Sequence, residues 1–156
     1  IEYSKNDKIN IVIENHGGIT ADADWLVSLI KNINSKYVGS LPDFGSLNFC
    51  IRRGDLDFEN LNKTCANQYD KYEGVKKLMP YAKGVSAKSM QFDADGEEVS
   101  TNFSRMIKII SESNYKGYLT IEYEGAMMEM MGNTNEKFLS PNEGILATQN
   151  LLKKYI

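Results

Sequence analysis

The chain has 156 residues, 42% hydrophobic and 25% charged, which suits one soluble domain with a core of its own. Eighteen Lys and Arg against 21 Asp and Glu leave a net charge of -3, which argues against the broad basic face that nucleic-acid binding requires. No apolar run is long enough to span a membrane, and no signal peptide is visible, so a soluble, cytoplasmic setting is expected. The chain opens on Ile1 rather than Met, which suggests processing or truncation.

Residues 9–14 form a β-branched run of strand length, broken by Asn15-His16-Gly17-Gly18. Thr20 or Asp22 then caps a predicted helix over about 23–32, with Trp25, Leu26, Leu29, Ile30 and Ile33 at helical spacing. A second short strand runs from Tyr37 toward Asp43. Residues 44–67, which include Arg52, Arg53, Asp55 and Asp57, read as a long irregular loop over a site or as an insertion. A helix is predicted over 69–81, with Tyr72, Val75, Leu78 and Met79 on one face and Pro80 at the end, where proline costs least.

The third strand covers residues 84–90. Asp93-Ala94-Asp95-Gly96 reads as a tight turn between Phe92 and Val99; it lacks the remaining ligands of a calcium loop. Thr101 or Asn102 caps a helix to about Ser113, with Phe103, Met106, Ile107, Ile109 and Ile110 as its apolar stripe. The fourth strand covers residues 118–123. A loop carrying Met127, Met128, Met130 and Met131, an adaptable lid or a packing surface, leads to Pro141 in the first turn of a last helix ending near Tyr155.

Cys50 and Cys65 lack metal-motif spacing, and the chain has a single histidine. Two free thiols are the expected state, with one disulfide as the alternative. Asn62-Lys63-Thr64 and Asn102-Phe103-Ser104 match the glycosylation pattern, which short sequences often do by chance.

Strand-helix alternation implies an α/β fold of parallel strands with right-handed crossovers. No glycine-rich phosphate loop follows any strand, so a nucleotide fold has nothing to point to. Instead three apolar runs end on carboxylates: Glu14, Asp43 and Glu122. Carboxylates at the exits of parallel strands converge on one rim. Acids held close together repel, and a bound cation relieves them.

The segments Ile13-Glu14-Asn15-His16-Gly17-Gly18, Leu41-Pro42-Asp43-Phe44-Gly45, Lys83-Gly84-Val85-Ser86-Ala87-Lys88 and Gly117 to Gly125 resemble the xylose isomerase-like TIM-barrel superfamily, within it the sugar phosphate isomerase/epimerase group. The resemblance covers nearly all of residues 1–156 and implies a single domain that is the C-terminal half of a (β/α)8 barrel, strands five to eight. It implies a divalent metal, Mn or Mg, held by Glu14, Asp43 and Glu122, with Glu14 and Glu122 also acting as proton-transfer bases on a sugar or sugar phosphate through an enediolate. The usual strand-seven histidine falls on Ser86, and the histidine found three residues after the aspartate falls on Ser46. These departures leave a degraded or lost metal site, and a non-catalytic sugar-binding relative, as the alternative. A phosphodiesterase of the apurinic endonuclease type fits poorly with one histidine and a net charge of -3.

Asn15, His16, Ser86 and Lys88 are candidate substrate-binding residues. Glu124 shares a strand face with Glu122 and is the rival ligand. Lys88 shares the face of Ser86, where a buried lysine needs an anion: the acids, a substrate phosphate or an enediolate oxygen. Half a barrel has two open strand edges, so a missing N-terminal half or self-association is expected, with no nucleic-acid or membrane partner.

Overall fold

The computed structural model describes residues 2–53, 65–130 and 137–156. In chain order the elements are α1 (Glu2–Asp7), β1 (Ile11–Glu14), α2 (Ala23–Ile33), β2 (Val38–Leu41), β3 (Cys50–Arg53), β4 (Cys65–Gln68) and α3 (Lys71–Leu78), then β5 (Val85–Ser89), α4 (Phe103–Glu112), β6 (Leu119–Tyr123), α5 (Gly125–Met130) and α6 (Pro141–Tyr155). β1 pairs in parallel with β2, Glu14 lying opposite Leu41. β5 pairs in parallel with β6, Lys88 lying opposite Glu122. Parallel bridges from Ser40 to Ala82 and from Asp43 to Ser86 join the two pairs, so the strand order is β1, β2, β5, β6. The fold is mixed α/β, and the described strands do not close into a barrel.

The helices follow their local chemistry. The Asp22 side chain accepts from the N–H groups of Asp24 and Trp25 and starts α2; Asn34, at φ 47°, ends it in the left-handed region. Asn102 caps α4 through the N–H of Arg105. Ser140 and Glu143 form a capping box ahead of α6, with Pro141 in the first turn. Four helices turn an apolar stripe inward: Leu26 and Ile30 from α2, Val75 and Leu78 from α3, Phe103, Met106 and Ile110 from α4, Leu151 and Leu152 from α6. Burying a side chain of this size contributes roughly 1.5–3 kcal/mol. Phe44 and Phe103 meet edge to face with centroids 5.5 Å apart, which fastens the exit of β2 to α4.

Several expectations are corrected. Residues 44–67 are not uniformly irregular: a 3-10 turn at Leu47–Phe49 leads into the antiparallel pair β3–β4, with Cys50 opposite Gln68 and Arg53 opposite Cys65. Asp55, Asp57 and the Asn62 pattern lie outside the described residues. Cys50 and Cys65 are not free thiols but form a disulfide. The pairing draws together two strands whose side chains supply little core, where a covalent tie substitutes for burial. Disulfides persist in oxidising compartments, so this pairing and the cytoplasmic expectation pull in different directions. The methionine-rich stretch begins as helix α5 rather than as a loop, with Met128 buried and Met127 and Met130 exposed; Met131 lies outside the described residues. At 93–96 the expected turn forms, its N–H groups at Asp95 and Glu97 satisfied by the Asp93 carboxylate. No described helix is long and apolar enough to cross a membrane.

Candidate functional site

β1 delivers Glu14 to the end of the sheet where β2 releases Asp43. Asn15, fully buried, locks the two exits together: its amide donates to the Asp43 carbonyl at 3.2 Å and its oxygen accepts the Asp43 N–H at 2.9 Å. The following loop is held by the Gly17 N–H, which donates to the Asn48 carbonyl at 3.0 Å. His16 projects outward from that loop, with Nδ1 3.5 Å from Glu14 Oε1. Asp43 continues β2 against β5, the Ser86 N–H donating to the Pro42 carbonyl and the Phe44 N–H to the Ser86 carbonyl. The Asp43 carboxylate is fully buried, and its Oδ1 accepts the Gly45 N–H at 2.6 Å.

Strand alternation puts Ser86 and Lys88 of β5 on one face, and the register puts Glu122 beside Lys88. Ser86 Oγ donates to Glu122 Oε2 at 2.5 Å. The Lys88 ammonium lies 3.6 Å from Asp43 Oδ2, 3.2 Å from Glu122 Oε1 and 3.1 Å from Glu124 Oε1, and its side chain is only 2% exposed. All five residues of β5 are buried. A buried strand normally reads as an apolar run; Val-Ser-Ala-Lys-Ser does not: Ser86 and Lys88 face the acids, and the Ser89 hydroxyl pairs with that of Thr148 at 2.6 Å.

The charges respond to this crowding. Burial pushes the Asp43 carboxyl up to about 7, against the pull of Lys88 and the Gly45 N–H. Burial would also raise Glu122, but the Ser86 hydrogen bond and the Lys88 charge outweigh it and hold the group below its ordinary range. For Lys88 burial opposes the charge, yet Asp43, Glu124 and Glu122 outweigh it and keep the ammonium above the ordinary lysine range.

Glu14, Asp43 and Glu122 each offer an oxygen within 4.8 Å of the others. That span and this all-oxygen donor set fit a hard divalent ion, whose ligands sit at roughly 2.0–2.6 Å. The seven sequence-predicted residues, Glu14, Asn15, His16, Asp43, Ser86, Lys88 and Glu122, do converge on one rim. Their surroundings differ, however: both functional atoms of the Asn15 amide are engaged by Asp43, and the Ser86 hydroxyl is engaged by Glu122. Glu124, the rival ligand, holds Lys88.

Two participants had no clear sequence signal. Gly45 passes so close that a methyl group there would lie 2.8 Å from Lys88 Cδ and 2.9 Å from Asp43 Oδ1, so only glycine leaves room for both. Lys71, at the start of α3, sends its ammonium to Ser46 Oγ at 2.8 Å, the Ser100 carbonyl at 2.6 Å and Thr101 Oγ1 at 2.8 Å. It thereby ties the loop after β2 to the segment leading into α4. Its place at a helix start resembles any solvated lysine in sequence.

Comparison of the chain with protein-family models and with curated protein sequences finds no match.

Proposed function

We propose that this rim carries out proton transfer on a sugar or sugar phosphate, as in aldose-ketose isomerisation or epimerisation, and that the four parallel strands are the C-terminal half of a (β/α)8 barrel. The observation that carries the reading is the convergence of Glu14, Asp43 and Glu122 on one rim beside a buried ammonium. The resemblance of the strand-exit motifs to the xylose isomerase-like superfamily supports the same chemistry.

The difficult step is removal of a proton from a carbon next to a carbonyl. A carboxylate on one face takes the proton, and a second group returns it to the neighbouring carbon or to the opposite face. Glu14, beside His16, and Glu122, beside Ser86, are the two carboxylates assigned these roles. A divalent cation, Mn or Mg, held by Glu14, Asp43 and Glu122 would supply positive charge to the developing enediolate. Lys88 places a positive charge beside the same acids, where charge facing the developing enediolate is worth most.

The test is solvent-deuterium wash-in, followed by NMR, across aldoses, ketoses and their phosphates with Mn2+ or Mg2+ added. Incorporation at the carbon beside the carbonyl is expected. Absence of label from every substrate in the panel would sink the proton-transfer reading. Sugar binding without turnover is the second reading, favoured by the Ser86 and Ser46 hydroxyls, which already have partners within the protein. Saturable sugar binding without deuterium incorporation would select it.

A further inference from the structure

Lys88 occupies ground that a metal would want. Of the three carboxylates that fit a divalent ion, two, Asp43 and Glu122, already face its ammonium. Neither the Lys88 ammonium nor Asp43 Oδ2 makes a hydrogen bond of normal geometry, although both atoms are buried. Charge, not directed hydrogen bonding, holds the group in place. Lysine is suited to this, being a compact point charge on a flexible stem. The third partner, Glu124, lies 3.1 Å from the ammonium and is outside the candidate ligand trio. Glu124 would still face the ammonium with the other two acids engaged by a metal. The missing side chain at Gly45 leaves the lysine stem its passage.

We propose that Lys88 is a resident cation that competes with a divalent metal for Asp43 and Glu122, and so sets the metal affinity of the rim. The inference rests on the proposed reading only in taking the three carboxylates as a cation site. A dication held by Asp43 and Glu122 lies within a few ångströms of the ammonium. Like charges at that separation in a shielded site repel strongly. Removing the lysine removes the competitor and leaves its acids in need of positive charge.

The experiment titrates the wild type and Lys88→Met with Mn2+ alone, counting free ion by its electron paramagnetic resonance signal, and follows thermal unfolding of both. Lys88→Met is expected to bind one Mn2+ about 100-fold more tightly than the wild type, and Mn2+ should raise its melting temperature more. Adding Glu14→Gln to Lys88→Met should abolish the gain. Should Lys88→Met not fold alone, refolding rescued by Mn2+ but not by sodium chloride of equal ionic strength supports the proposal. Failure of that rescue overturns it. So do equal affinities in the two proteins, binding weakened by the substitution, or micromolar Mn2+ binding by the wild type with Lys88 in place. Deuterium wash-in by a wild type whose Mn2+ affinity matches that of Lys88→Met would overturn this inference and leave the proton-transfer reading standing.

Discussion

Lys71 and Lys88 are both buried ammonium groups near the exit of β2, yet their charges are compensated in opposite ways. Lys71 is surrounded by neutral oxygens from Ser46, Ser100 and Thr101 and makes three hydrogen bonds. Burial there dominates and pushes its pKa down to about 8, against the weaker pull of Glu98, Asp70 and Asp43. Lys88 faces three carboxylates, and its pKa is raised. Dipoles satisfy the protons of the Lys71 ammonium without repaying its lost hydration, whereas the acids around Lys88 offset its charge without directed hydrogen bonds. Lys71 therefore reads as a clamp between loops, and Lys88 as part of the charge balance of the site.

The largest effect should come from removing each lysine in turn. Without divalent metal, Lys88→Met should lose about 3–5 kcal/mol, because it strands the buried Asp43 carboxylate beside those of Glu122 and Glu124. Lys71→Met should lose about 1–3 kcal/mol, because it strands only neutral acceptors. Urea unfolding of the two variants checks this, and the reverse ranking would break the contrast. Reduction of Cys50–Cys65, which closes a separation of 15 residues, should cost about 3 kcal/mol. Ser46 and Phe49 lie between β2 and the disulfide, so hydrogen exchange should quicken there and stay unchanged in β5 and β6. Uniform quickening would mean that the Lys71 side and the Lys88 side do not respond separately.

The two lysines should also differ in the sign of their pH dependence. The folded value for Lys71, about 8, lies below its ordinary 10.5, so the unfolded chain binds more protons between those values. Stability should therefore rise with pH from about 8 to about 10.5 by this group. The gain is at most about 3 kcal/mol, reduced by the hydrogen bonds that favour the ammonium. Lys71→Met should flatten that rise, and a wild type whose stability falls across the window would contradict the assignment. The smallest effect is expected of Ser86→Ala, which removes a donor to Glu122 at a cost of about 1.5 kcal/mol. Since Lys88 remains, calorimetry should find the variant folded, with the Glu122 carboxyl titrating at higher pH by NMR.

Much of this site is legible in the sequence. Glu14, Asp43 and Glu122 stand at the ends of short apolar runs, and local chemistry placed those ends close to where β1, β2 and β6 stop. Asp22 and Asn102 were readable as helix caps for the same local reason. The hairpin β3–β4 was not, because its pairing has register shifts and its strands carry no clean alternation. Nor was the disulfide, since two cysteines fifteen residues apart say nothing of whether their Cα atoms approach to the observed 5.7 Å.

The sequence by itself determined the order of the four parallel strands and of helices α2, α3, α4 and α6, the caps at Asp22 and Asn102, and the acidic strand exits, because these depend on neighbours a few residues away. Only the tertiary structure decided that Asn15 is committed to Asp43, that Gly45 must lack a side chain, and that Lys88 rather than solvent faces the acids. Those facts depend on contacts between segments 28 to 43 residues apart or more. Burial sets the energy of each charge, and burial is a property of the assembled sheet rather than of any one strand.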